Sequence, residues 1–340
     1  MRAAVLEDSG LQVREWEAPE PGPGEALVAL SRVGICGSDV HFVIDGSMQT
    51  RFRPIVLGHE PAGRVEVLGP DTEGPAPGTR VAIIPLISCH ECDHCARGRT
   101  VICRSSECLG AERHGCWADL VAVPVRNLVP IPDGLSDELA AVATDSVATA
   151  YHAVATRGAM RPGMRVAVWG TGGLGLSAVG IARALGAEQL IAVDPRAQAR
   201  DWALDTGADL ALDPNDDALG QIKKLGGVDL AVEFVGRPAT VESAVRSLDA
   251  GGRAVAVGIG EGKLSASHLS AFVSLERELV GSYGNEPEEV REVITMMAAG
   301  RLRLPWVVGD VIPLEQVLEG LERVHRGDTG GSRIVLDITA

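Results

Sequence analysis

The sequence predicts an α/β chain in two parts, a β-rich first domain followed by a doubly wound parallel sheet. Three observations carry this. The 340 residues exceed the size at which one hydrophobic core usually stops growing, and 46% of them are hydrophobic, enough for a core in each of two domains. Residues 1 to 85 are short β-rich segments broken by turns, with Leu27 to Leu30 and Val65 to Leu68 as strand candidates and Pro19 to Gly24 as a breaker. From Arg165 onward, short apolar strands alternate with helical patterns, the arrangement of a parallel sheet covered on both faces.

Composition narrows the function. A formal charge of -15 argues against nucleic-acid and anionic-membrane partners, which select clustered positive charge, and favours a small-molecule substrate. The N-terminal residues Met1 to Asp8 meet acid before any apolar run of signal-peptide length, and no stretch offers about 18 uncharged apolar residues. A cytoplasmic location is expected. Seven cysteines, four of them clustered, point to metal binding over a disulfide framework.

In chain order, Gly34 to His41 comes first. It places a soft ligand, Cys36, beside a hydroxyl and an imidazole, Ser38 and His41, that could carry a proton away from a metal-bound group. Gly58-His59-Glu60-Pro61-Ala62-Gly63 follows. His59 is a second candidate ligand and Glu60 an outer or exchangeable one. Cys89, Cys92, Cys95 and Cys103 have the spacing of a closed, all-sulfur structural zinc site and lie too close together to pair as disulfides. His90, Glu91, Asp93 and His94 interleave them where a nucleic-acid-binding zinc ribbon would carry Lys or Arg. Cys108 and Cys116 are left without a metal.

Helix begins near Leu135, with Asp137 and Glu138 in an acidic first turn, and is interrupted at Thr144-Asp145-Ser146; on local grounds Asp145 reads as the N-cap of a second helix. The strand Arg165 to Trp169 then runs into Gly170-Thr171-Gly172-Gly173-Leu174-Gly175, and a helix follows to Gly186. Glycines between strand and helix permit a tight turn and close backbone approach, and the helix N-terminus offers N–H groups to a pyrophosphate. Asp194 ends the next strand about twenty residues on, where a carboxylate accepts hydrogen bonds from ribose hydroxyls and repels a 2′-phosphate. NAD is therefore expected over NADP, a preference that Arg196 softens. Further strands are expected at Leu210 to Leu212, Asp229 to Val235, Arg253 to Val257 and Leu279 to Tyr283. The tail, with strands near Val307 to Ile312 and Ile334 to Ile338, is expected to return to the first domain.

Taken together, GICGSDVH at 34 to 41, GHExxG at 58 to 63, the four-cysteine lobe at 89 to 103, TD at 144 to 145, GTGGLG at 170 to 175 and Asp194 resemble, in order and over essentially the full length, the zinc-dependent medium-chain alcohol dehydrogenases. The resemblance implies a GroES-like catalytic domain at 1 to 146 and 287 to 340, split around a Rossmann domain at 147 to 286. It implies a catalytic zinc on Cys36, His59 and Asp145 with Glu60 alongside, a structural zinc on the four-cysteine lobe, and thus two zinc ions per chain. It also implies a proton relay from Ser38 to His41, Trp117 as a wall of the substrate pocket, Arg333 as a pyrophosphate contact, and a homodimer or homotetramer. Two departures stand out: many relatives have Cys or Glu where this chain, like some secondary-alcohol dehydrogenases, has Asp145, and Thr72 replaces a small apolar residue.

The reaction expected is hydride transfer between NAD and a secondary alcohol or ketone. The alternatives are a polyol, sugar or cyclic-alcohol dehydrogenase of the same family and, from another class, a non-catalytic zinc and nucleotide binder in a regulatory role. Ser38 and His41 argue against the last, since a binder has no use for a proton relay.

Overall fold

The computed structural model describes residues 1–264 and 268–340. It divides into two units, Met1–Ser146 with Glu286–Ala298 and Val308–Ala340, and Val147–Asn285 with Ala299–Val307. The tail returns to the first unit with one exception. Residues 299 to 307 belong to the second, where Leu304 fills the space over Gly180 and Trp306 stacks on Trp202 with ring centroids 5.2 Å apart.

The first unit is organised around the strand Glu25–Ile35, whose alternating Ala26, Val28 and Leu30 face the core. Among the described residues it belongs to a seven-stranded sheet, paired antiparallel with Glu60–Leu68, Leu120–Pro124 and Arg333–Asp337. Register shifts between Leu27/Val28 and between Leu30/Arg32 bend the pairing with Glu60–Leu68, so that Gly34 stands opposite Glu60. On the other side Ile35 stands opposite Ile334. Three segments distant in sequence therefore end at one point, just before Cys36.

The helix Asp137–Val142 is capped by Ser136, whose hydroxyl accepts from Leu139 N–H, and it is tied to the sheet by its acidic first turn. Ser31 donates to Asp137 at 2.7 Å, Arg80 donates to it at 2.9 Å through Nε, and Arg32 bridges Glu138 and Asp337 at 2.7 Å each. Beyond Val142 the helix does not stop. It widens into a π-helical stretch, Ala143–Val147, and continues as Ala148–Tyr151. Asp145 thus lies inside a continuous helical run, within its widened turn, and not at the start of a second helix.

The second unit contains, among the described residues, a six-stranded parallel sheet in the order Leu210–Leu212, Gln189–Val193, Arg165–Trp169, Val228–Glu233, Leu248–Ala256, Glu278–Gly281. This is the doubly wound sheet expected, with Arg165–Trp169 at the point where strand order reverses. The helix Gly173–Ala184 springs from it, and a Cβ on Gly175 would overlap Gly170 O, which is why this approach needs glycine. No helix among the described residues is long and apolar enough to cross a membrane.

The anchoring of the Asp145 helix gives a stability prediction. Burial raises the Asp137 carboxyl, but hydrogen bonds from Ser31 and Arg80 outweigh it and hold the group below its usual 3.8. That stabilisation is complete above the usual value and fades as pH falls through the lower folded one. Arg80→Ala is expected to cost about 1.5–3 kcal/mol in urea unfolding at pH 7 and pH 5 alike, with a smaller loss at pH 3.

Candidate metal centres and cofactor loop

The convergence at Cys36 assembles a cluster from four places in the first unit. Cys36 follows the central strand, His59 and Glu60 open the neighbouring one, Asp145 comes from the π-helical stretch, and one ligand atom from each lies within 4.8 Å of all the others. Cys36 Sγ is 3.5 Å from Asp145 Oδ2, and His59 Nε2 is 3.7 Å from the same oxygen. A tetrahedral ion bound at about 2.0–2.3 Å separates its ligand atoms by roughly 3.3–3.8 Å, so these spacings suit zinc. Glu60 Oε2 is buried and has no hydrogen-bond partner among the described residues. A side chain at Gly34 would overlap that oxygen.

Asp39, which sequence reasoning missed, organises the cluster from behind. Nearly fully buried at 1% exposure, it accepts from Cys36 N–H at 2.8 Å and faces His59 Nδ1 at 3.3 Å. With Nδ1 turned to this carboxylate, Nε2 is the atom aimed at Asp145, an arrangement that fixes the tautomer of a metal-binding imidazole. Burial alone would disfavour a charged His59, but Asp39, Asp145 and Cys36 raise its pKa well above the ordinary value; the surroundings that hold a proton at Nε2 equally hold a cation there. The available signal was spacing, a carboxylate three residues after Cys36 in the first turn of the helix Gly37–Val43.

Arg333 also lies here, opposite Cys36 in the extended register. Its Nη2 is 2.9 Å from Glu60 Oε1 and 3.2 Å from Cys36 Sγ, and Asp145 Oδ2 is 3.7 Å away. The guanidinium expected at a pyrophosphate is thus committed to the metal cluster. Burial works against its charge, but Cys36, Glu60 and Asp145 raise its pKa further, so it stays cationic. For Glu60, burial dominates and pushes the carboxyl up to about 8 against the pull of Arg333.

Ser38 Oγ stands 3.4 Å from His59 Nε2. His41 is 40% exposed at its side chain and turns Nδ1 toward Asp45 at 2.8 Å. Trp117 departs from the expectation of a pocket wall. Its indole is fully buried in the core, donates to Gly34 O at 3.4 Å, and occupies the space that a side chain at Gly58 would need. It can touch no substrate; it packs the turn that presents His59.

The four-cysteine lobe fits a second ion. Sulfur separations are 3.4 Å for Cys89–Cys103, 3.6 Å for Cys92–Cys95 and 3.9 Å for both Cys89–Cys95 and Cys92–Cys103. Tetrahedral ZnS4 at about 2.3 Å requires roughly 3.8 Å between sulfurs, and a disulfide about 2.0 Å. Backbone N–H groups of Glu91 and Cys92 hold Cys89 below its usual range, and those of Cys95 and Arg104 bring Cys92 down to about 6. Burial and the neighbouring thiols push Cys95 up to about 12, as expected where several like charges need one shared cation. Glu286 secures the lobe by accepting from Thr100 N–H at 2.8 Å and from Val101 N–H at 3.3 Å, just before Cys103.

In the second unit, Gly170 takes φ +85° and Gly172 caps the helix Gly173–Ala184, so Gly173, Leu174 and Gly175 form its first turn with free N–H groups. The loop thus presents N–H groups at a helix N-terminus, an arrangement suited to an anion. Asp194 is buried beside it, but its oxygens are already engaged: Oδ2 accepts from Thr171 N–H at 2.8 Å and Arg196 Nη2 at 3.0 Å, and Oδ1 from Arg196 N–H at 3.0 Å and Nε at 2.9 Å.

Metal removal separates the two centres. Cys103→Ser should lose one zinc per chain and melt well below the parent, since structural zinc contributes on the order of 10 kcal/mol to folding. An unchanged melting temperature would exclude a four-cysteine zinc. Cys36→Ala should lose the other ion and keep the fold, checked by metal analysis and circular dichroism together.

Comparison with known proteins identifies the family. The alcohol dehydrogenase GroES-like domain matches residues 22–133, and the zinc-binding dehydrogenase domain matches residues 173–299. An alcohol dehydrogenase of Geobacillus stearothermophilus is 33% identical over 99% of this chain and 100% of its own. L-galactonate-5-dehydrogenase of Escherichia coli K12 is 33% identical over 91% of each. The crystal structure of an NAD-dependent alcohol dehydrogenase superposes with a TM-score of 0.91 at 30% identity, covering 99% of this chain and 100% of that one. With motifs, both domains and full-length relatives in agreement, the chain belongs to the zinc-dependent medium-chain alcohol dehydrogenase family.

Proposed function

We propose that the protein transfers hydride between NAD and a secondary alcohol or its ketone, using zinc held by Cys36, His59 and Asp145, with Glu60 as the adjoining carboxylate. The observation that carries this is the mixed thiolate, imidazole and carboxylate cluster, whose ligand atoms lie within 4.8 Å of one another. Three protein ligands leave a tetrahedral ion one position for substrate, whereas the four-cysteine site leaves none. When bound, zinc supplies Lewis-acid polarisation of a hydroxyl and the nicotinamide supplies the hydride acceptor.

The chain's own residues do the rest. Asp39 holds His59 so that Nε2 faces the ion, and Arg333 donates to Cys36 Sγ and to Glu60 Oε1, keeping Glu60 in place. Ser38 Oγ, beside His59, is the group to accept a hydroxyl proton, and His41 at the exposed side is the group to release it to solvent. The Gly170–Gly175 backbone binds the cofactor diphosphate, and Asp194 discriminates at the adenosine ribose once Arg196 turns aside. A polyol substrate is the second reading, favoured by the likeness to L-galactonate-5-dehydrogenase. A cytoplasmic homodimer or homotetramer is proposed; exposed Leu269, Val273 and Tyr283 near the sheet-edge strand Glu278–Gly281 support self-association.

Reduced-nicotinamide absorbance with secondary alcohols, polyols and cyclic alcohols, with and without a zinc chelator, tests the reaction. Chelator-sensitive reduction of NAD is the expected result, and silence across the panel in protein carrying two zinc ions would reject it. Asp194→Gly should raise the NADP-to-NAD ratio of kcat/KM on the order of tenfold, since it removes the carboxylate and frees Arg196 for a 2′-phosphate. An unaltered ratio would assign the choice to other residues.

A further inference from the structure

Outside the metal cluster, three polar side chains meet at one ring nitrogen. His41 lies in the last turn of the helix Gly37–Val43, Asp45 follows four residues on, and Gly46 at φ +66° turns the chain so that Ser47 comes back beside both. His41 Nδ1 is 2.8 Å from Asp45 Oδ2 and 3.0 Å from Ser47 Oγ. Ser47 Oγ is 2.6 Å from Asp45 Oδ1, and the Ser47 N–H donates to that oxygen at 2.9 Å.

These distances assign the protons. An ionised carboxylate has none to give, and the two hydrogen bonds from Ser47 hold Asp45 down at about 2, so it is ionised throughout the neutral range. The Ser47 hydroxyl has a single proton, and the 2.6 Å contact to Asp45 uses it. Toward His41, both neighbours are therefore acceptors. A lone pair on Nδ1 would face two oxygen lone pairs at 2.8 and 3.0 Å, whereas a proton on Nδ1 satisfies both.

We propose that Asp45, braced by Ser47, is a positioning residue that fixes neutral His41 as the Nδ1–H tautomer and makes Nε2 its proton-accepting atom. An imidazole 40% exposed at its side chain would otherwise rotate and exchange tautomers in water. Held this way, Nε2 takes one proton to give the imidazolium, which passes it to water, and no electrons are transferred in that step. The functional half of the inference rests on the reading of His41 as the exit of a proton relay; the tautomer rests on the geometry alone.

The test uses full-length, zinc-loaded protein labelled with ¹⁵N at histidine, examined by long-range ¹H–¹⁵N correlation at pH 9, with the His41 signals assigned by their loss in His41→Gln. The expected pattern is a protonated-type shift at Nδ1 and an unprotonated-type shift at Nε2. Asp45→Ala should lose it, and Asp45→Glu should recover part of it. Alcohol oxidation by Asp45→Ala should fall on the order of tenfold in kcat, a fraction of what a general acid–base group contributes, with little change in KM. Asp45 is a partly exposed loop residue, so the melting temperature should move little. An unprotonated Nδ1 in the parent, or a pattern unchanged in Asp45→Ala, would overturn the assignment; a changed tautomer with unchanged kcat would remove its part in the reaction. The Nδ1–H pattern in a protein that oxidises no alcohol would uphold the tautomer and reject the proposed reaction instead.

Discussion

Strand register is the constraint on which the first unit depends. Pairing Gly34 with Glu60 and Ile35 with Ile334 brings Cys36, Glu60 and Arg333 to one point from positions up to 297 residues apart. A slip of one residue on either side would turn Glu60 or Arg333 to the opposite face of the sheet. Gly34 makes the arrangement possible, because a side chain there would occupy the space of Glu60 Oε2. The register shift between Leu30 and Arg32 adjusts the strand for this pairing, next to a functional cluster where such irregularities concentrate.

The register also solves an electrostatic problem. Asp39, Glu60 and Arg333 are all buried, and an isolated buried charge costs several kcal/mol. Each therefore has a partner: Arg333 has Glu60 and Cys36, and Asp39 has Cys36 N–H and His59. Cys36, Glu60 and Asp145 share one guanidinium, and a divalent cation among them would give these ligand groups a second positive partner. The four-cysteine lobe reaches the same end without an arginine, through backbone N–H groups aimed at sulfur.

The elements whose evidence is local were legible in the sequence. The strand, glycine turn and helix at 165 to 186 and the cysteine spacing at 89 to 103 each depend on neighbours a few residues away, and the structure has strand, helix and sulfur cluster there. What escaped depends on distant pairing. The site of Arg333 follows from which strand lies beside Ile35, and nothing near residue 333 records that. Trp117 is an ordinary tryptophan in the sequence, and only the fold brings it under Gly58. Asp145 looked like a cap because the polar run Thr144 to Ser146 interrupts an apolar pattern, yet the helix passes through by widening. Asp39 and Asp45 were close enough to Cys36 and His41 to be noticed, but a carboxylate on a short helix is usually a solvated one.

The widened turn has a consequence for how the chain is divided. Asp145 stands one residue before the first unit ends at Ser146, on a helical rod that carries on into the second. The return crossing is similar: the second unit's long segment ends at Asn285, and the next residue, Glu286, holds Thr100 and Val101 beside the four-cysteine lobe. At two of the chain's four crossings between the units, a side chain next to the crossing supports one of the two clusters. The carboxylates held by Ser31, Arg80 and Arg32 are those of Asp137 and Glu138, in the first turn of the helical run that goes on to carry Asp145. The polar anchors on Asp137 and Glu138 are therefore part of the geometry of the Asp145 ligand position, although they lie two turns of helix away from it.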